Sequence, residues 1–252
     1  MMNSHRHPAS KSRALASIIM LAGCLLVLSG CETTGFSSLS GSGEQRAERL
    51  ARTGEHGDAA SAYIGLATDA VGSERDRLTL LAVEQWLDAG DVDRAQRAFS
   101  DVQNPGSGPL LPIWNTNSAA LALYRGDADR ALALLEPMSR QSLPLRDRLR
   151  VEALRADTWI QKQDPARAIE LMTQREKWLD GPAAIDQNRN RLWQGLLYSN
   201  PQVLRNAAQT VTDEQTRGWL TLGSLATSTG QQGVGWSNGI VRWREAPRSI
   251  PL

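Results

Sequence analysis

The sequence is short of the side chains from which most catalytic centres are made. Its 252 residues include two Cys and three His, whereas metal centres and acyl-transfer triads usually draw on one or both types. No glycine-rich phosphate loop or dinucleotide fingerprint occurs. Neither charge sign dominates: 28 Lys+Arg stand against 27 Asp+Glu, which argues against a broad nucleic-acid-binding surface. Gly 21 and Pro 11 are too few for a low-complexity chain, and 41% hydrophobic residues exclude a disordered one. A single long apolar run exists, Ala14 to Leu28. It falls short of the roughly 20 residues that a membrane-spanning helix needs.

That run follows Arg6, Lys11 and Arg13, so residues 1–30 read as a secretory signal. It ends in Leu28-Ser29-Gly30-Cys31, which resembles the bacterial lipobox: small residues before the cut and a sulfur nucleophile to take diacylglycerol after it. Leu21-Ala22-Gly23-Cys24 is a second match, but it leaves only Ala14 to Met20 as the apolar region. An ordinary signal cut near Gly30 is the plainer alternative. Cleavage before Cys31 leaves 222 residues with 25 positive and 27 negative side chains. With Cys24 removed and Cys31 acylated, no internal disulfide can form, so a buried core must hold the exported chain together. Glu32 rather than Asp after the acylated position favours, by resemblance to the lipoprotein-sorting pattern, the outer membrane of a two-membrane bacterium. Residues 31–43, rich in Ser, Gly and Thr, are expected to form a flexible tether of about 20 Å root-mean-square span.

Beyond the tether the chain repeats. Gly54-Glu55-His56-Gly57-Asp58-Ala59, Gly90-Asp91-Val92-Asp93-Arg94-Ala95, Gly126-Asp127-Ala128-Asp129-Arg130-Ala131 and Gln163-Asp164-Pro165-Ala166-Arg167-Ala168 align at offsets of 36, 36 and 37 residues. Four positions after each alanine stands a large apolar residue: Tyr63, Phe99, Leu135 and Met172. Apolar pairs also precede each turn: Leu50 and Ala51, Trp86 and Leu87, Ala122 and Leu123, Trp159 and Ile160. Helical spacing on both sides of a Gly-Asp turn predicts a helix-turn-helix hairpin. The Gly ends one helix at positive φ and the Asp caps the next. The small Ala lets the two helices approach, and the large residue a turn later fills the groove between hairpins. In the fourth unit Asp164-Pro165 still reads as an N-cap followed by a first-turn proline. The spacing resembles the tetratricopeptide repeat, slightly elongated from its period of roughly 34. An all-α, tetratricopeptide-like helical-hairpin solenoid over residues 44–180 is the fold expected. Residues 181–252 read as a degenerate helical continuation. Asn104 to Asn117 is expected as a proline-rich loop, and residues 185–210 as a degenerate fifth hairpin with Leu204 at the Ala position.

Candidate functional groups are few. His56 reads as a solvated turn residue. Trp86, Trp159, Trp193 and Trp219 fall on apolar stripes and are expected in packing. Trp114, in the proline loop, and Trp236, in a Gly/Ser-rich stretch, are the candidates for a contact surface. Arg146, Arg148, Arg150 and Arg155, interleaved with Asp147, Glu152 and Asp157, read as a solvated, ion-paired helix face. A helical periplasmic enzyme with one catalytic Glu would resemble the soluble lytic transglycosylases, but the Glu-Ser pair of that family is missing. No catalytic residue, metal or cofactor is expected.

Several stretches together resemble the amino-terminal half of the LppC/LpoA lipoproteins. They are Leu50-Ala51-Arg52-x-Gly54-x-His56-x-x-Ala59-Ala60-x-x-Tyr63-x-x-Leu66-Ala67, Trp86-Leu87-x-x-Gly90-Asp91-x-x-Arg94-Ala95, Asn190-Arg191-x-Trp193-x-x-Leu196 and Gly218-Trp219-Leu220-x-Leu222. The resemblance implies an outer-membrane, lipid-anchored activator of a class A penicillin-binding protein, a peptidoglycan synthase. It also implies a tetratricopeptide-like amino-terminal domain and a second α/β domain that engages the synthase. The sequence up to Leu252 contains no βαβ pattern, which points either to a short form or to an interrupted coding sequence. The expected function is thus a non-enzymatic scaffold regulating peptidoglycan synthesis. The alternative, from the repeats and tether alone, is a tetratricopeptide adaptor lipoprotein in outer-membrane protein assembly.

Overall fold

Each Gly-Asp turn of the repeat is built the same way. Gly54, Gly90 and Gly126 have φ of 83°, 83° and 79°, and Gln163 takes the same left-handed conformation at 61°. The following amide then reaches back five residues: Glu55 to Leu50, Asp91 to Trp86, Asp127 to Ala122 and Asp164 to Trp159, at 2.8 to 2.9 Å. This closes the helix end by capping its orphan carbonyls. In three units the Asp carboxylate accepts the amide three residues on, from Arg94, Arg130 and Arg167, so one short segment ends one helix and starts the next.

The computed structural model describes residues 34–139 and 141–230, all outside these turns and links being helical. Eleven helices follow in chain order: α1 Thr34–Arg52, α2 His56–Asp69, α3 Gly72–Ala89, α4 Val92–Ser100, α5 Leu111–Tyr124, α6 Ala128–Ser139, α7 Leu145–Gln161, α8 Pro165–Glu176, α9 Pro182–Leu197, α10 Pro201–Thr210 and α11 Glu214–Gly230. By compactness residues 1–45 and 46–252 are separate units; the first contributes the opening of α1, and the second carries the array. Within the array α3–α4, α5–α6 and α7–α8 form hairpins, while α3, α5, α7 and α9 pack in succession. This is an all-α, tetratricopeptide-like helical-hairpin solenoid.

The alanines of the pattern lie at the tightest helix approaches: Ala59, Ala95, Ala131 and Ala168 are fully buried. Tyr63, Leu135 and Met172 are buried one turn later, and Phe99 is partly buried against the same core. Hydrogen bonds between successive first helices repeat the sequence period. Asn117 Nδ2 donates to Leu80 O at 2.8 Å, Tyr124 Oη to Leu87 O at 2.9 Å and Gln161 Nε2 to Leu123 O at 3.4 Å, spanning 37, 37 and 38 residues.

Four expectations need correction. The stretch expected as a tether is helical from Thr34 onward; it has no proline to stop a helix already formed at Glu44–Arg52 from propagating back through it. The proline-rich loop is shorter than expected, because Pro112 sits in the first turn of α5, where a missing amide costs nothing. The fifth hairpin does not close between α9 and α10. Instead α10 packs chiefly on α11, because Leu204 occupies the place of the small Ala while Gly223 on α11 offers the close approach. A Cβ at Gly223 would lie 3.3 Å from Leu196 and 3.4 Å from Leu204. Finally, His56 is not a solvated turn residue: it opens α2, half-buried, and its Nδ1 donates to Gln85 Oε1 at 2.8 Å.

Candidate functional site

The first helices of the second, fourth and fifth units carry charges on one face. On α3, Glu84 and Asp88 are four residues apart; on α7, Arg146, Arg150 and Asp157 follow the same stripe, since positions four or seven apart share a helix side. Helix α5 packs on both α3 and α7, and the long arginine side chains join the two. Arg146 Nη2 lies 2.7 Å from Glu84 Oε1, and Arg150 Nη1 lies 3.1 Å from Asp88 Oδ2. Further along, Arg191 of α9 grips Asp157 through Nε and Nη2, a bidentate pairing that suits the planar guanidinium.

The arginine stripe is therefore ion-paired as expected but solvated only at Arg146, whose side chain is 53% exposed. The Arg150 side chain is only 15% exposed, and Arg155 is held between Glu152 at 2.7 Å and Glu136 at 2.9 Å. Arg148 is half-buried, with its guanidinium 5.4 Å from the Trp178 ring. The reason is the packing of α7 between α5 and α9, which sequence pattern along one helix does not disclose.

These groups line a 490 Å³ cleft bounded by Glu84, Asp88, Arg146, Arg150, Arg175 and Arg191, with Leu145, Leu149, Ala153 and Leu154 as its apolar wall. Arg175, from α8, enters differently from the others. Its Nε donates to Leu149 O at 2.9 Å and its Nη1 to Asn188 Oδ1 at 2.5 Å, and no carboxylate among the described residues pairs with it. Asn188 is itself fixed by donating to Met172 O at 3.0 Å. Burial, and then the neighbouring Arg191 cation, lower the Arg175 pKa to about 10, so it remains charged at neutral pH. Burial works against the charge of Arg150 and Arg191 too, but their carboxylate partners outweigh it and both are raised. Sequence reading missed Glu84, Asp88, Arg175 and Asn188. The i, i+4 spacing of Glu84 and Asp88 was the one available signal, and it does not reveal that arginines from 62 residues away would meet them.

Among the candidates read from sequence, Trp114 is not on a loop. It lies in the first turn of α5, its ring centroid 5.2 Å from that of Phe99, and its indole Nε1 is buried without a partner among the described residues. Trp86, Trp159, Trp193 and Trp219 are in packing positions, with Trp193 and Trp219 6.4 Å apart. Cys31, the signal and Trp236 lie outside the described residues. Among the described residues no cluster of three His, Cys, Asp or Glu could hold a metal ion, and no helix is long and apolar enough to cross a membrane.

The fold and its charged cleft define a class: a tetratricopeptide-like solenoid with an arginine-lined cleft. No protein-family model, curated protein or solved structure matches the chain.

Proposed function

We propose that this chain is a lipid-anchored scaffold, acylated at Cys31 on the periplasmic side of an outer membrane, that regulates peptidoglycan synthesis by engaging a class A penicillin-binding protein. One observation carries most of the support. The two separated stretches that resemble the LppC/LpoA lipoproteins in the carboxy-terminal part, Asn190 to Leu196 and Gly218 to Leu222, come together. Trp193 packs on Trp219, and Gly223 seats α11 on Leu196. Motifs far apart in the chain that share one packing site are constrained together, as expected of a domain and not of chance matches. The earlier stretches behave alike, with Ala59, Ala60 and Tyr63 buried and Gly90 at its left-handed turn. A rigid solenoid suits a role in which chemistry belongs to the partner, because its surface is extended and its repeats hold one another in place.

The test is direct. The acylated protein, alone and fused to the α/β domain of an LppC/LpoA lipoprotein, is mixed with a purified class A synthase, and binding and glycan polymerisation are followed. Binding by either form, with stimulation by the fused form, is expected; neither binding nor stimulation by both forms sinks the proposal. Cross-linking in cells that recovered β-barrel assembly components and no synthase would favour the adaptor reading instead.

A further inference from the structure

The cleft between α3, α7, α8 and α9 holds one arginine, Arg175, that no salt bridge among the described residues answers. Four guanidiniums line it, those of Arg146, Arg150, Arg175 and Arg191, against the carboxylates of Glu84 and Asp88. Asp157, behind Arg191, supplies a third. Asp147, beside Arg146, supplies a fourth, so the charges balance in number; geometry singles out Arg175, whose described partners are a backbone carbonyl and an amide oxygen. Its Nη2 has no acceptor among the described residues. Arg150 adds a buried Nη2 that also lacks one.

An uncompensated, partly buried charge destabilises a fold unless something answers it. Arg175 is nevertheless held in place from two sides, by Leu149 O through Nε and by Asn188 through Nη1, and Asn188 is anchored in turn on Met172 O. A guanidinium so fixed in the lining of a cleft, with Nη2 still to donate, is preorganised for a carboxylate oxygen. Leu145, Leu149, Ala153 and Leu154 form the wall beside it, so the group next to the anion should be small and aliphatic. A volume of 490 Å³ falls in the range of small-ligand sites and is enough for two or three peptide residues.

We infer that this cleft binds a short acidic peptide, with one carboxylate of the peptide on Nη2 of Arg175 and an aliphatic side chain against Leu145 and Leu149. The flanking carboxylates of Glu84 and Asp88 disfavour polyanions, which separates this site from a general phosphate or nucleic-acid surface. The inference is independent of the synthase reading: loss of peptide binding would leave the scaffold proposal standing, and loss of synthase binding would leave this one.

The experiment is calorimetric titration of the full chain with three probes: acetyl-Ala-Glu-Ala-amide, which carries one carboxylate, the same peptide with that carboxyl converted to an amide, and inorganic phosphate. Saturable binding of the acidic peptide is expected, weakened about tenfold or more by amidation, as for loss of a charge-assisted hydrogen bond. Arg175→Gln should weaken it by a similar factor. Because that change touches packed residues, Leu145→Glu provides a second variant. Leu145 is 49% exposed at the start of α7, so a carboxylate there repels the ligand without disturbing the core, and helical content by circular dichroism should not change. No saturable binding overturns the inference; so does equal affinity for the amidated peptide, or binding unaffected by both variants. Phosphate binding as tight as the peptide, displaced by it and lost in Arg175→Gln, would also overturn it, as the mark of a general anion site.

Discussion

Gln163 occupies the left-handed turn position that glycine holds in the three preceding units, at φ 61°. A side chain there crowds the carbonyl that follows and raises the energy of the conformation by about 1 to 2 kcal/mol. Glycine would remove that strain, offset in part by its greater freedom in the unfolded chain. Gln163→Gly is therefore expected to stabilise the protein by about 1 kcal/mol, read as a higher urea midpoint at unchanged slope. A lower midpoint would show that the Gln side chain contributes more than its backbone strain costs. The turn was legible in the sequence despite the missing glycine, because Asp164-Pro165 marks the start of the next helix by its own chemistry: Asp164 Oδ1 accepts the Arg167 amide at 3.2 Å, and Pro165 occupies a position that needs no amide. Trp114 was misread at the same scale. Prolines at 105, 109 and 112 suggest a loop throughout, yet a proline at the first helical turn permits a helix as readily as it breaks one farther in.

Between elements, the buried ion pairs decide how tightly neighbouring hairpins are joined. Arg155 of α7 reaches Glu136 of α6 and Glu152 one turn earlier on its own helix, and the Glu152 side chain is 9% exposed. Removing the cation strands that carboxylate in the packed interior. Arg155→Met should cost about 3 kcal/mol, the usual size for breaking one side of a buried pair. Replacing Glu152 by Met in the same chain should recover much of the loss, since the stranded charge goes with it. A double variant no more stable than the single one, in denaturant unfolding, would show that the packing of the arginine stem and not its charge matters. The same scale explains why the fifth hairpin was not readable as it formed. Its helices were in the sequence, but their partners depend on which surface offers a small residue, and Gly223 on α11 does so where Leu204 on α10 does not. Leu222 and Leu225 lie on the apolar-looking stripe of α11 but are 58% and 59% exposed, since periodicity shows that a helix has an apolar face without showing what covers it.

At the scale of the molecule, the core among the described residues is two clusters and not one. Twenty-four buried apolar residues from Ala47 to Leu154 form the first, and eight from Ala156 to Leu220 form the second, with α7 contributing to both. In a solenoid each unit is held mainly by its neighbours, so the smaller cluster should open without the larger. Native-state hydrogen exchange is expected to show α9 to α11 exchanging through openings that leave α3 to α6 protected. A single common opening free energy for all these helices would mean that the shared α7 couples the clusters fully.

The sequence by itself determined the turns of the four aligned units and the faces of their helices. Each rests on chemistry within a few residues: glycine and aspartate at a turn, alanine four positions before a large apolar side chain. Only the tertiary structure decided which helix closes the last unit, that Arg150 and Arg155 of the α7 stripe are largely buried, and that Arg175 lines the cleft with no carboxylate partner among the described residues. Those outcomes depend on side chains brought together from up to 62 residues apart, and the energy of a charge depends on its three-dimensional surroundings, which no periodicity along the chain records.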